Sequence, residues 1–474
     1  MAPSGIPDEE RRELRGRVLR LAWPSIVENL LQSVLGIVTI LMVARLGSAE
    51  VAAVGASQQI QILFISAFFS LSMGATVLVA HAYGAQQHDR INDAARQSAL
   101  ATFVLSLVVA VVVFLLSEPL LRLIGAEEDV VRLGVRFQQI SALGYVFMAL
   151  MFVLGGALRG VGDTRTPMLV TLGINVINVL VALPLIFGFG PISAQELDGA
   201  AWAQNISRFI GFAWMGLLLW KGTRGISIAG RTGWRPDWSF LRRLADISLP
   251  AMGESLLRSG GQFLFVVIVF QLGTADAAAH NIAQQAFFLS MFPGFGFSMA
   301  ATALVGQSLG ARNPDRARAS TMIAMRWCII WMSVMGAAFF LFGTQIMELS
   351  APDDVDRASI IAHGADALKV IAFAQPLQAI GFVLAGALRG AGDTRFPMLS
   401  TGLSMWVFRL PLAWLFAIGL DLGLPGVYLA MVFDNVILMA LNIWRYRQGK
   451  WLVSRLDVAR GSGGAAPRSV AGAR

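Results

Sequence analysis

The sequence predicts an all-α membrane protein: twelve transmembrane helices in two parallel six-helix repeats. Three observations carry this prediction: a composition too apolar for a water-soluble chain, twelve long apolar runs joined by loops of alternating charge, and one stretch of sequence written twice. Of 474 residues, 56% are apolar and 14% charged, whereas soluble domains carry about 25% charged residues. Mean hydropathy is +0.65. At about 20 residues per span the chain holds roughly a dozen helices and has no room for a sizeable soluble domain.

The apolar runs lie at 18–44, 54–82, 98–116, 131–158, 167–190, 199–221, 244–272, 279–308, 321–345, 360–388, 397–420 and 425–446, each long enough to cross a hydrocarbon core about 30 Å thick. Every second connection is basic: Arg11 to Arg20, Arg90 and Arg96, Arg159 and Arg165, Lys221 to Arg243, Arg312 to Arg318, Arg389 and Arg395, and the tail after Trp444. The connections between these are acidic or almost uncharged: Glu118 to Asp129, Glu196 and Asp198, Asp276, Glu348 to Asp356, and Asp421. Loops rich in Lys and Arg stay in the cytoplasm, so both termini are expected there. The first run is too long for a signal peptide, contains Glu28 and lacks a small-residue cleavage site.

Residues 156–168, GALRGVGDTRTPM, return at 386–398 as GALRGAGDTRFPM, an offset of 230. Upstream the offset is 226: Pro24 matches Pro250, Glu28 matches Glu254, Gln58 and Gln59 match Gln284 and Gln285, and Gly84 matches Gly310. Six spans per copy is an even number, so both copies enter the membrane from the same side and are parallel repeats. The expected division is a cytoplasmic N-terminus over 1–17, a first lobe over 18–221, a cytoplasmic linker over 222–243, a second lobe over 244–446 and a cytoplasmic tail over 447–474. Residues 1–10 and 461–474 are expected to be disordered. Two similar lobes around a cleft suit a rocking, alternating-access transporter better than a channel or receptor.

Several activities are excluded or disfavoured. The single cysteine, Cys328, forbids an internal disulfide, and no lysine stands in a GK[ST] phosphate-binding loop. A net charge of +8 suggests nucleic acid only where the basic residues share one solvated face; here they punctuate apolar runs. The four histidines are scattered and neither HExxH nor GxSxG occurs, so no enzyme, no cofactor and no metal centre is expected.

Ionisable groups inside spans cost about 2.5–3.5 kcal/mol each to insert, which makes Glu28, Arg208, Glu254, Arg258, Arg409 and Asp434 candidates for transport. Glu28 and Glu254 each follow a proline, Pro24 or Pro250, that removes a backbone hydrogen bond and is expected to kink its helix. Carboxyls at such kinks could exchange a proton for a cationic substrate. The structural reading is also open, because Glu254 and Arg258 are spaced to neutralise each other on one helix face. Asp434, beside Asn435, could pair with Arg409. Gln32, Asn178, Gln204, Gln58 and Gln284 could hydrogen-bond a substrate or ion, or join helices. Phe288, Met291, Phe292 and Phe295, with Phe64 and Phe68 in the other repeat, could present ring faces and a soft sulfur to a cation. In the GxGDTRxP segments, Asp163 with Arg165 and Asp393 with Arg395 could gate the cytoplasmic side, or simply build turns.

The run AAAHNIAQQAFFLSMFPGFGFSMAATALVGQSLGA at 277–311 and the doubled GALRGxGDTR resemble the multidrug and toxic compound extrusion (MATE) family across 18–446. The resemblance implies a monomeric, V-shaped bundle of two lobes in the bacterial inner membrane. It implies export of amphipathic, cationic compounds in exchange for inward protons or sodium. Many members carry an Asp where Thr39 stands here; Asn178 keeps a family position, while Ala182 replaces a second carboxylate and Gln204 takes the polar position of the sixth span. The nearest rival, a flippase of lipid-linked sugars, would need a cationic cleft, for which Arg208, Arg258 and Arg409 are available.

Overall fold

In hydrocarbon a chain must satisfy its own backbone hydrogen bonds, and the computed structural model is accordingly almost all helix. It describes residues 6–189, 193–230, 233–351 and 356–452; the expected disorder at 461–474 lies outside them. The helices of the first repeat are α1 (Asp8–Val43), α2 (Ser48–Gly84), α3 (His88–Leu115), the short α4 (Ser117–Leu123), α5 (Glu128–Leu143), α6 (Tyr145–Gly160), α7 (Arg165–Phe187) and α8 (Glu196–Lys221). Those of the second are α9 (Trp238–Phe270), α10 (Thr274–Gly310), α11 (Pro314–Ser350), α12 (Arg357–Gly390), α13 (Arg395–Gly402), α14 (Leu410–Trp414) and α15 (Gly423–Arg447). Among the described residues ten spans pass as long and apolar enough to cross a membrane, and eleven when the bent pair α5 and α6 is one span. α8, the sixth expected span, completes the twelve: its 26 residues suffice in length, and Gln204, Asn205 and Arg208 lower its hydropathy.

Three local features depart from the simple expectation. Residues 8–10, expected to be disordered, already belong to α1, where Asp8, Glu9 and Glu10 occupy the first turn and complement the helix dipole. The run 131–158 is two helices meeting at 46°. At the break Asn205 donates to the carbonyl of Ile140 (2.5 Å), and a Cβ on Gly144 would stand 2.0 Å from the Asn205 amide oxygen. Between α13 and α14 the chain forms π-helical turns over Leu403–Arg409. There Leu410 donates five residues back to Met405, just before Pro411, which has no N–H to offer Val407. Pro24 and Pro250 lie inside continuous helices.

Each repeat builds its own core, with one exchange between them. Val18, Leu21 and Ala22 of α1 are buried in the cluster of the second repeat, while Phe240, Leu244 and Ile247 of α9 are buried in a cluster of the first. By the offset of 226, Val18 matches Leu244 and Leu21 matches Ile247, so the exchange obeys the internal symmetry. The connection after α8 lies against α3: Gln97 donates to the carbonyls of Gly233 (2.7 Å) and Arg235 (2.6 Å), and Asn92 accepts from the N–H of Ser227 (2.7 Å).

Asp237 starts α9 as an N-cap, accepting from the N–H groups of Ser239 (2.8 Å) and Phe240 (3.2 Å) and from the Ser239 hydroxyl (2.7 Å). The Ser239 hydrogen bonds hold its carboxyl below the usual aspartate range. Asp237→Ala should cost about 1 kcal/mol at neutral pH. A depressed folded-state value means the contribution is complete above the unfolded value of about 3.9 and fades as pH falls through the lower one. Thermal unfolding in detergent at pH 7 and pH 3 should therefore show the variant's deficit shrinking in acid.

Candidate functional site: paired turns and two cavities

The doubled GALRGxGDTR segments end α6 and α12 in the same way. Gly162 and Gly392 take φ of +90° and +83°, and the N–H groups of Asp163 and Asp393 reach back to the carbonyls of Leu158 (2.8 Å) and Leu388 (2.9 Å), the closing bond of a glycine C-cap. Asp163 then accepts from the N–H of Arg165 and Thr166 (3.1 Å each) and starts α7. Thr164 donates to the carbonyl of Arg20 (3.4 Å), the group that Pro24, four residues on, leaves without its helical donor. Asp393 instead pairs with Arg445 of α15 (2.8 Å), and Arg395 faces Asp246 (3.6 Å). Neither Asp163–Arg165 nor Asp393–Arg395 forms a salt bridge among the described residues; the segments serve as turns and helix starts.

The arginine of each GALRG segment meets the matching carboxylate. Arg159 Nη1 donates to both oxygens of Glu28 (3.1 Å each) and Nη2 donates to Ser72 Oγ (3.1 Å). Arg389 donates through Nε to Glu254 Oε2 (3.2 Å) and through Nη2 to Oε1 (2.9 Å). Arg258 adds a bond to Glu254 Oε1 (2.8 Å), as its spacing allowed. All four oxygens of the two glutamates are thus held by guanidinium groups. The sequence reading placed Arg159 and Arg389 in basic loops; their occurrence in both copies of the longest repeated motif was the sign that they do more.

The two repeats touch at the end of the bundle that carries these turns, through a second symmetric pair. Gln307 Nε2 donates to the carbonyl of Gly160 (2.8 Å), and His81 Nε2 lies 2.9 Å from the carbonyl of Gly390. His81 and Gln307 are equivalents at the offset of 226, and Gly160 and Gly390 at 230. A comparison seeking identities passes over them because their residue types differ. Arg17 also donates to Gln307 Oε1 (2.9 Å). α2 and α10 come together closely here: a Cβ on Gly84 would lie 1.9 Å from the Gln307 carbonyl oxygen, and one on Gly310 2.2 Å from that of His81.

Two cavities hold most of the remaining candidates. The larger, about 670 Å³, belongs mainly to the second repeat. Arg258, Gln284, Arg409, Asp434 and Asn435 supply part of its polar lining, with Gln59, Gln262, Gln378 and three hydroxyl side chains, and Phe287, Phe288, Met291 and Phe382 much of its apolar wall. Asp434 accepts from Ser404 and lies 3.9 Å from Arg409 Nη1, the outer limit of an ion pair. The Arg409 guanidinium lies 4.2 Å from the Phe265 ring centroid. Ser404, Met405 and Arg409 reach this cavity from the π-helical turns, a distortion frequent at functional sites that apolar periodicity does not reveal. Phe292 and Phe295 are not among its lining residues; Phe295 packs on Phe382. Phe64 and Phe68 pack around Tyr145 in the first repeat's core. The smaller cavity, about 220 Å³, is lined by Gln32, Thr39, Gln58, Gln61, Asn178, Gln204 and Arg208 with several aliphatic residues. Ile62 of α2 borders both cavities.

The MatE family model matches residues 24–183 and 250–415, one match in each repeat. The chain belongs to the MATE family. Its relatives in this family include a probable multidrug resistance protein NorM of Thermotoga maritima, 30% identical over 450 residues that cover 94% of this chain and 95% of the relative. The multidrug resistance protein PmpM of Pseudomonas aeruginosa is 28% identical, covering 87% and 85%. The fold is that of an outward-facing structure of a multidrug resistance MATE family transporter of the MOP superfamily, with a TM-score of 0.85 at 21% identity over 93% of this chain and 97% of that one.

Removing one partner of a buried ion pair costs about 3–5 kcal/mol, because the other charge is left stranded. Arg159→Met should lower thermal stability in detergent by that order, and adding Glu28→Leu should recover most of the loss. Gly84→Ala and Gly310→Ala should each force α2 and α10 apart, seen as a longer spin-label distance between positions 89 and 315.

Proposed function

We propose that this MATE protein is a secondary active multidrug antiporter, not an enzyme. In this reading it exports amphipathic cationic compounds across the bacterial inner membrane, with both termini in the cytoplasm and one chain as the working unit. The observation that carries the reading is the large cavity with Asp434 on its wall. Of the membrane carboxylates raised as candidates, Glu28 and Glu254 have every oxygen occupied by arginine, whereas Asp434 borders a space of ligand size. Arg409 lies at the outer limit of an ion pair with this carboxylate, so a substrate cation and a coupling proton or sodium ion would each have to draw Asp434 away from it, and they compete for the same group. The rings of Phe287 and Phe288 and the sulfur of Met291 supply a polarizable wall for the apolar body of such a substrate. The touching ends of α2 and α10 close one side of the cleft, and alternating access requires these contacts to part. The membrane potential contributes about 2.3 kcal/mol per inward charge per 100 mV, besides the ion gradient.

The test is transport of ethidium by proteoliposomes under an imposed proton gradient or an imposed sodium gradient, each applied alone. Exchange under one of them, reduced at least about tenfold by Asp434→Asn, an effect of some 1.4 kcal/mol, is the expected result. Exchange at the unaltered rate in Asp434→Asn would remove that residue from coupling, and no exchange under either gradient would reject antiport.

A further inference from the structure

The smaller cavity has a chemistry opposite to that of a cation site. No Asp or Glu is among its lining residues. The internal repeat sharpens the contrast, because Gln204 stands at the position of Asp434, so the carboxylate of the second repeat is a neutral amide in the first. The one charged residue lining the cavity is Arg208, whose Nη1 is buried and has no hydrogen-bond partner among the described residues. A second donor is in the same condition: Gln61 is 6% exposed, and its Nε2 is buried without a partner. Buried donors, a guanidinium above all, are costly unless an acceptor meets them.

We propose that this first-repeat cavity binds a small organic carboxylate, held by the Arg208 guanidinium and the Gln61 amide. Guanidinium matches the planar, two-oxygen geometry of a carboxylate, and Asn178 and Gln58 supply further amides on the same wall. A volume of about 220 Å³ equals about seven waters at 30 Å³ each. That is room for a carboxyl with a small ring or short chain, as a free acid or as one end of a larger molecule. The anion is either the carboxylate of a zwitterionic substrate or a small free acid; the recognition chemistry is the same. The inference does not depend on the exchange reading, because binding rather than transport measures it.

The experiment uses the full chain in lipid nanodiscs and a matched pair of dyes: rhodamine 110, which carries a free carboxylate, and rhodamine 123, its methyl ester. Fluorescence polarization gives the Kd of each, and calorimetry gives that of benzoate. Arg208→Gln removes the charge; Gln61→Leu removes only a donor and keeps the test open should the first variant fail to fold. The expected result is a loss of about tenfold or more in rhodamine 110 affinity in Arg208→Gln and a smaller loss in Gln61→Leu, with rhodamine 123 unchanged. That outcome assigns the site to the substrate's own carboxylate. Equal behaviour of the two dyes, with benzoate binding present in the wild type and lost in the variants, assigns the same site to a free acid. Unchanged binding of both rhodamine 110 and benzoate in the variants, or equal weakening of both dyes with benzoate unaffected, overturns the proposal.

Discussion

A carboxylate placed among apolar helices has to be met by a cation, and here that requirement is answered twice by the same construction. Glu28 and Glu254 leave the first helix of each repeat, and Arg159 and Arg389 leave the last turn of the helix that ends in GxGDTR. The pairs fix the depth and rotation of α1 against α6 and of α9 against α12. The glycine turn can then close, the next helix can start, and the walls of both cavities take their places. A charge pair inside a membrane protein is costly to break, so the link holds each repeat as a unit. The contacts between repeats are more varied: hydrogen bonds to glycine carbonyls, close backbone approach at Gly84 and Gly310, ion pairs of Arg316 with Glu10 (3.7 Å) and Glu13 (3.6 Å), and the crossed helix ends that fill each other's cores.

The two repeats are alike in scaffold and unlike in lining. The framework pairs Glu28–Arg159 and Glu254–Arg389 keep their residue types, as do Gln58 and Gln284. The cavity positions diverge: Gln32 against Arg258 and Gln204 against Asp434. Duplication supplied the architecture, and substitution at a few wall positions gave one repeat a carboxylate with two arginines and the other a lone arginine among amides.

Much of the fold was legible in the sequence because a bilayer imposes one simple rule on spanning segments. Apolar length, loop charge and the repeat placed the helices, and a turn was one of the two readings open for the GxGDTR segments. The bend at Gly144 was hidden because its cause, the Asn205 side chain, lies two helices away in sequence. The π-helical turns before Pro411 were hidden because they leave hydropathy unchanged. For the site, ionisable residues in spans were found one by one, but their partners were not. Glu28 looked like a free carboxyl because Arg159, 131 residues on, had been counted with its loop. The latch of His81 and Gln307 was invisible for a different reason: both donors bond to backbone, which has no identity in a sequence.

The exchange of helix ends between the two cores bears on how the chain is made. Val18, Leu21 and Ala22 are made long before the apolar cluster that receives them, which is built from α9, α10, α11, α12, α14 and α15. The first repeat in turn has a gap in its core until Phe240 to Ile247 have been synthesised. Neither half is therefore a finished folding unit, although each carries a full set of spans. Until the second repeat is made, the apolar stretch of α1 lacks the cluster that buries it and the first repeat's cluster lacks its three residues from α9. Through the crossing of two helix ends, the core of each repeat depends on residues of the other.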